Sequence, residues 1–526
     1  MSDRRHLLVG AAAFLASILV ALLGLYARAE SPAPVGGVVK LRLLGINDLH
    51  GHLEPVQDDL GGAAWLAAGM DRATLPGRTI RVHAGDLVGA SPLASAYFHD
   101  EPSIEVANRI GFDVATLGNH EFDEGVGELR RLLDGGQRAE SGRLVNTSAP
   151  GFGGARFPYV SANVADSSGR LLLRPYEVIE RAGVRVGFIG VTTPTAPRYL
   201  LPRFAGGFRF TDMSDAVNRW VLELRRKGVQ AIVVLAHSGA PSEEGDGADA
   251  EGPVVDEVRQ MSDAVDVVVA GHSHSLMNLR VPNESGSGHK LVVQSLAYAS
   301  AFDQVDLTVD RASGEVVSKT ARVPRTSHRG LRPDPEVEAL LAGYRNRLRP
   351  LADRVLGRAA TPLSAADGLG RLAAEGQRAL AGADVALVDA GSFRARLDAG
   401  PITYAELFAT QAYDHPLVLM SLRGREILDL LATGPGAALF TAGLPEGRTL
   451  DPSSTYSVVA NALLVTTGPF DALRAAARRG RELGSQVEAL ARYVDDLREP
   501  VRPGELTAVS WEDAGSPAFL CPVVAV

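Results

Sequence analysis

The feature that most constrains this chain is where it places Asp, Asn and His. Five short groups of these residues occur in order, each just past an apolar, strand-like run. Asp48 and His50 lie in Gly45-Ile-Asn-Asp-Leu-His-Gly-His52, after the run Val38–Ile46. Asp86 lies in His83-Ala-Gly-Asp-Leu87, after Thr79–Ala84. Asn119 and His120 lie in Leu117-Gly-Asn-His-Glu-Phe-Asp123, after Val114–Leu117. His237 follows Ala231–Ala236, and His272 and His274 follow Val265–Ala270. One such group alone reads as a turn or a hydrogen-bonded core histidine. Five at successive strand ends read as one site, because ligand sites of open α/β sheets collect outside the carboxyl ends of the strands. In extended chain, residues two apart project the same way, so Asp48 with His50, and His272 with His274, are expected to point together.

Further strand-like runs at Tyr159–Asn163, Val184–Val191, Lys290–Gln294 and Gln304–Val309, with helical patterns such as Asp215–Lys227 between some of them, predict an α/β or sandwiched-sheet domain. A polar stretch, Thr326–Pro335, ends it. The chain then reads as one helix from Glu336 to Leu356, with Val337, Leu340, Leu341, Tyr344, Leu348 and Leu351 on one face. Pro350 is expected to kink or divide that helix. A second mixed domain follows from about Gly357 to the end, and no internal repeat recurs at a fixed period.

The ligand types point to a pair of metal ions. Carboxylate, amide and imidazole donors suit Zn²⁺, Mn²⁺, Co²⁺, Fe²⁺ or Mg²⁺, and no thiolate accompanies them. Seven candidates, Asp48, His50, Asp86, Asn119, His237, His272 and His274, exceed what one tetrahedral ion needs. A shared carboxylate bridges two ions ~3.5–4 Å apart, and such a pair makes a hydroxide nucleophile from bound water for in-line displacement at phosphorus.

Composition narrows the partners. A formal net charge of −9 excludes a general nucleic-acid binder, so a phosphate-bearing substrate needs a local positive site. The single cysteine, Cys521, closes no intramolecular disulfide. At the N-terminus, Arg4 and Arg5 precede an apolar run, Leu7 to Tyr26, and Ala27-Arg28-Ala29 has the small-x-small pattern of a cleavage site. Residues 1–29 are therefore expected to be a signal peptide. The arginine pair fits a twin-arginine signal loosely, with Asp3 in place of the usual Ser or Thr. Left uncleaved, the same run would be an anchor, the chain's only expected link to a membrane. The expected compartment is outside the cytoplasm: periplasmic, extracellular or cell-surface.

On these motifs the chain resembles the secreted 5′-nucleotidase/UDP-sugar hydrolase family, calcineurin-like metallophosphatases with a C-terminal substrate domain. The resemblance covers about residues 38–526. It implies a four-layer αββα metallophosphatase sandwich over 38–325, a linker helix over 335–356 and an α+β substrate-binding domain over 357–526. It also implies that Asp48 and His50 bind one ion with His274, that Asp86 bridges both ions, and that Asn119, His237 and His272 hold the second. His120 would contact the phosphate in the transition state, oriented by Asp123. His274 stands where some members carry Gln.

The C-terminal match is looser. Asp389-Ala-Gly-Ser-Phe-Arg394 resembles the family's Gly-Gly-Ile-Arg segment, making Arg394 a phosphate or carboxylate clamp, and Gly368-Leu-Gly-Arg371 makes Arg371 a second. Gln411-Ala-Tyr-Asp-His415 places Tyr413 as the base-stacking aromatic. Leu463 replaces a second aromatic, Pro469 stands where a substrate-binding Asp is usual, and Phe470 is the candidate substitute. The expected function is an exported dinuclear-metal phosphohydrolase acting on nucleotides or related small phosphoesters. The alternatives are a 2′,3′-cyclic-nucleotide phosphodiesterase or nucleotide-sugar hydrolase, and a catalytically silent ligand-binding relative, against which His120 and Asp123 beside the metals argue.

Overall fold

The computed structural model describes residues 37–138, 151–200, 204, 207–242, 247–432, 439–443, 450–468 and 470–502. The expected signal peptide and Pro469 lie outside the described residues. No helix among the described residues is long and apolar enough to cross a membrane.

Two six-stranded sheets form the centre of the N-terminal half. The first runs, in spatial order, Val316–Arg322, Asp303–Asp310, Val38–Ile46, Thr79–His83, Val114–Thr116, Tyr159–Val160. The second runs Leu276–Pro282, His289–Ser295, Val267–Ala270, Ala231–His237, Val184–Thr192, Tyr176–Arg181. In each sheet the strands that precede site residues are parallel, so their carboxyl ends emerge on one edge. Alternation decides the layers. Val39, Leu41 and Leu43 pack with Val186, Phe188, Val233 and Val269 of the other sheet, while Leu44 and Ile46 turn outward onto Leu66, Met70 and Ile104. Val217, Val221, Val254 and Val258 cover the outer face of the second sheet in the same manner. The result is the four-layer α/β sandwich expected.

Several boundaries differ from expectation. The run Tyr159–Asn163 pairs in the first sheet only over Tyr159–Val160. Ser161 N–H then donates to Arg174 and Ala162 N–H to Gly190, pulling the chain toward the second sheet. The linker helix spans Pro335–Ala352 and stops short of Leu356, which belongs to the strand Val355–Ala359. Pro350 lies in the helix's last turn, where one missing N–H and the ring clash leave room for only two more helical residues. Asp334 caps the helix start by accepting from Glu336 N–H and Val337 N–H.

The C-terminal half is built on a mixed five-stranded sheet ordered Leu439–Ala442, Val385–Asp389, Thr455–Asn461, Pro416–Arg423, Arg481–Ser485. Helices Gly370–Ala381 and Gln486–Asp496 pack together beside it. The linker helix belongs to both halves: Val337 and Leu341 enter the N-terminal core, and Tyr344 and Leu348 the C-terminal one. Leu93 and Phe98 of the N-terminal half also pack into that C-terminal cluster. Phe98 is wholly buried, its ring edge-on to Tyr344 at 4.8 Å. Phe98→Ala should therefore cost ~3–5 kcal/mol, read as a lower denaturant midpoint. A loss under ~1 kcal/mol would show that the two halves are not held together by this contact.

Candidate metal centre and adjoining cavity

The site residues emerge from five strand ends on the shared edge of the two sheets. Asp48 follows Val38–Ile46, Asp86 follows Thr79–His83, and Asn119 and His120 follow Val114–Thr116. His237 is the last residue of Ala231–His237, and His272 and His274 follow Val267–Ala270. Extended geometry does not make them converge, contrary to expectation. Asp48, His50, Asp86, His272 and His274 all have positive φ, at 49°, 47°, 56°, 75° and 55°. The left-handed turns at the strand ends, not strand alternation, aim these side chains inward.

Two donor groups result, each with its ligand atoms within 4.8 Å of one another, Asp48, His50 and His274, and Asp86, His237 and His272, and a third set, His50, Asp86 and His120, overlaps both. His50 Nε2 lies 3.1 Å from His274 Nε2, and each is near Asp48 Oδ1, at 3.7 and 3.6 Å. In the second group His237 Nε2 lies 3.0 Å from Asp86 Oδ2 and 3.2 Å from Asn119 Oδ1. Asp86 Oδ2 also lies 3.6 Å from His50 Nε2, so one carboxylate oxygen stands between the two groups.

The donor chemistry fits cations. His50 Nδ1 donates to the Gly89 carbonyl at 3.0 Å, and His237 Nδ1 to the Ala84 carbonyl at 2.9 Å. Each ring thereby turns Nε2 into the site, as second-layer hydrogen bonds do for metal-ligating histidines. Two ring nitrogens facing each other at 3.1 Å cannot both carry protons, and a cation resolves that opposition. The electrostatics agree. Burial alone would raise Asp48, but His274 and His50 hold it down to about 2. Burial likewise opposes ionisation of Asp86, yet His237 and His120 hold it well below the usual carboxylate range. Burial pushes His272 down to about 3 and His274 to about 4, keeping both neutral donors.

His120 opens a turn of 3₁₀ helix, His120–Phe122, and its Nδ1 lies 2.7 Å from Asp123 Oδ2. Burial disfavours its charge, but Asp123 and Asp86 raise it to about 10. Both residues line a cavity of about 530 Å³ shared with Tyr413, His415 and Leu463 of the C-terminal half. Tyr413 lies near-parallel to His120, centroids 6.2 Å apart, and the Arg394 guanidinium sits 4.5 Å over the Tyr413 ring. Arg394 also donates to the Gly391 carbonyl at 2.8 Å. Neither arginine is among the residues lining this cavity: Arg394 adjoins it through Tyr413, and Arg371 stands 3.9 Å from Glu375. Phe470 packs in the core with Val418, Leu464 and Leu473, so it does not take the place of the second aromatic. Leu463 lines the cavity there.

Glu121 is the functional residue that sequence reasoning passed over, since it offers no donor to the centre. Its carboxylate accepts from the backbone N–H of Asp86, Leu87 and Gly118, at 3.0, 2.8 and 2.5 Å. It thus ties the Asp86 loop to the Asn119 loop. The loops meet so closely that a Cβ at Gly118 would fall 2.1 Å from Asp86 Oδ1. No signal in the sequence marks it, since its partners are backbone amides.

Residues 41–276 match the family model of the calcineurin-like phosphoesterases, and residues 355–445 that of the 5′-nucleotidase C-terminal domain. An endonuclease of Bacillus subtilis is 32% identical over 507 residues, 88% of this chain and 40% of that protein. A cell wall protein of Listeria monocytogenes is 32% identical over 444 residues, 75% of this chain and 56% of that protein. The chain thus spans about half the length of these curated relatives. The solved structure of a 5′-nucleotidase precursor from Thermus thermophilus superposes with a TM-score of 0.68 at 28% identity, covering 87% of this chain and 96% of that one.

Removing the Glu121 carboxylate strands three buried N–H groups, each worth ~1–3 kcal/mol. Glu121→Ala should therefore lower stability by several kcal/mol in thermal unfolding, more than any single exposed carboxylate. A variant that melts like the wild type would mean the loop contact carries no load.

Proposed function

We propose that this chain, which belongs to the calcineurin-like phosphoesterases and carries a 5′-nucleotidase C-terminal domain, is an exported two-metal phosphohydrolase that removes phosphate from nucleotides or related small phosphoesters. The observation that carries this reading is Asp86 Oδ2, set between two imidazole-bearing donor groups and beside a carboxylate-oriented histidine at a cavity. Asp48, His50 and His274 would hold one ion, Asn119, His237 and His272 the other, and Asp86 both. Bound divalent ions supply positive charge for phosphoryl oxygens and acidify a water toward neutrality.

The chain's own residues do the rest. His120, held at Nδ1 by Asp123, would present its Nε2 to a phosphoryl oxygen or leaving group where negative charge develops. The Tyr413 ring offers a stacking surface for a base, and Arg394 above it a cation for the substrate's charged end. Arg371, held beside Glu375, has less support for such a role. Export rests on the N-terminal segment and on a relative named as a cell wall protein. A phosphodiester reading is favoured by the relative named as an endonuclease and by Leu463 standing in the cavity wall in place of an aromatic.

Metal and chemistry separate by mutation. Asp86→Asn should reduce the metal found by elemental analysis below two ions per chain and cripple turnover. His120→Asn should keep the metal and lower kcat by ~10²–10⁴. Metal loss in His120→Asn would make His120 a ligand, and two tightly held ions in Asp86→Asn would sink the bridge.

The substrate is tested by kcat/KM for AMP, GMP, UMP, a nucleotide sugar, a 2′,3′-cyclic nucleotide and p-nitrophenyl phosphate. Tyr413→Ala should penalise the nucleotides and spare the small ester. Arg394→Ala should weaken every substrate that reaches the C-terminal wall. Weak discrimination among bases is expected, because stacking tolerates any base. A wild type that ignores all mononucleotides but cleaves the cyclic one would replace the nucleotidase reading with the diesterase one.

A further inference from the structure

We infer that Asp100, which offers no ligand atom to either donor group, is a positioning residue for the ion held by Asp48, His50 and His274, acting through Gly89. The inference rests on the two-ion reading above.

Asp100 stands at the start of the helix Glu101–Ile110, where an aspartate ordinarily caps the first turn with its side chain. Here it makes no such cap. Its carboxylate instead accepts from Gly89 N–H at 3.0 Å and from Ser95 Oγ at 2.7 Å, and Ser95 is joined to Ser103 at 2.8 Å. To reach them Asp100 adopts φ 59°, a left-handed conformation unfavourable to a residue with a Cβ. The helix start has given up both its cap and its relaxed backbone for a contact with one glycine.

That glycine is the junction of the site. Its carbonyl accepts from His50 Nδ1 at 3.0 Å and so sets the rotation that turns His50 Nε2 toward Asp48 and His274. A Cβ at Gly89 would lie 2.7 Å from both Asp123 Oδ2 and His120 Cβ, and the residue has φ 81°, so only glycine fits. The two peptide units that meet at Gly89, one held at its N–H by Asp100 and the other at its carbonyl by His50, cannot shift freely with His120 and Asp123 packed against the Cα between them. Among the contacts described, Asp100 is what pins its N–H side. Second-layer partners of metal-ligating histidines are where ligand orientation is set, and their loss typically costs about 10- to 100-fold in metal affinity.

Chelator-stripped protein titrated with Mn²⁺ or Zn²⁺, by calorimetry and by competition with a chromophoric chelator, reads this without turnover. Asp100→Gly relieves the left-handed strain while deleting the carboxylate. Metal-free it should still fold cooperatively, the relieved backbone offsetting part of the cost of the stranded Gly89 N–H, and it should bind one ion normally and the other about 10- to 100-fold more weakly. Asp100→Asn tolerates the same conformation and keeps an oxygen for Gly89 N–H, so it should restore most of the affinity. Should Asp100→Gly not fold, Ser95→Ala, which frees one side of the carboxylate, should show the same one-ion weakening in smaller measure. Two ions bound with wild-type affinity by folded Asp100→Gly, or by Ser95→Ala in its place, overturn the inference and leave the two-ion reading intact. A wild type that binds fewer than two ions overturns that reading, and the inference with it.

Discussion

Burying Asp48 and Asp86 is the constraint on which the rest of the site depends. Both carboxylates have no exposed surface, and taking an ion out of water costs several kcal/mol unless opposite charge and hydrogen bonds repay it. The repayment is local. His272 N–H donates to Asp48 Oδ2 at 2.8 Å and Asn47 Nδ2 to the same oxygen at 2.6 Å, while His120 N–H donates to Asp86 Oδ1 at 2.8 Å. What these bonds leave is a pair of anionic oxygens facing imidazoles. That arrangement is indifferent for a neutral molecule and favourable for a divalent cation. Glu121 shows the same pressure: burial and then Asp86 raise it to about 7, although three backbone donors hold its oxygens.

The buried strands were the most legible part of the fold. Ala231–His237 and Val267–Ala270 are covered on both faces and read as apolar runs, Val38–Ile46 alternates before its buried end Leu43–Ile46, and the chemistry after each run marks the carboxyl edge. Edge strands such as Tyr176–Arg181 and Leu276–Pro282 carry mixed residues and left no comparable signal. The residues gathered at the centre were legible because their types and order are chemical. The reason they converge was not. Positive φ at Asp48, His50 and Asp86 is a tertiary outcome, imposed where backbone groups such as His50 N–H and Gly51 N–H bond to the Asp86 and Leu87 carbonyls. For the same reason Glu121 and Asp100 stayed invisible: Glu121 bonds backbone amides, and Asp100 a backbone amide and the Ser95 hydroxyl, so neither has a charged partner in the sequence to reveal it. At the C-terminal wall, Phe470 looked like a spare aromatic because local sequence does not say which face of a short helix start is buried.

Left-handed backbone at non-glycine residues costs on the order of 1–3 kcal/mol each, and this site concentrates it. Only a frame that over-determines the loops can hold such turns. The frame here is a pair of sheets whose facing side chains, Leu41, Leu43, Phe188 and Val233 among them, are almost wholly buried. Strain stored that way fixes donor atoms before any ion or substrate arrives, so binding does not have to order them. Loosely packed sheets would relax the turns first and lose the donor geometry while the fold survived.

The cavity inherits its shape from a second, separate piece of packing. Phe98 and Leu93 sit in the C-terminal cluster with Tyr344, Leu348 and Phe408, and Phe408 is also a wall of the cavity. Tyr413 lies five residues beyond it, close to parallel with His120 across the gap. The spacing between His120 and the Tyr413 ring therefore depends on apolar contacts at the linker helix. Ion pairs reinforce it along the same helix, from Arg109 to Glu336 at 2.6 Å and from Arg345 to Glu54 at 3.0 Å, but these are exposed and contribute little each. The donor centre and the cavity wall opposite it thus depend on different parts of the chain. The first resides in strained turns at a buried sheet edge, and the second in how two apolar clusters share one helix.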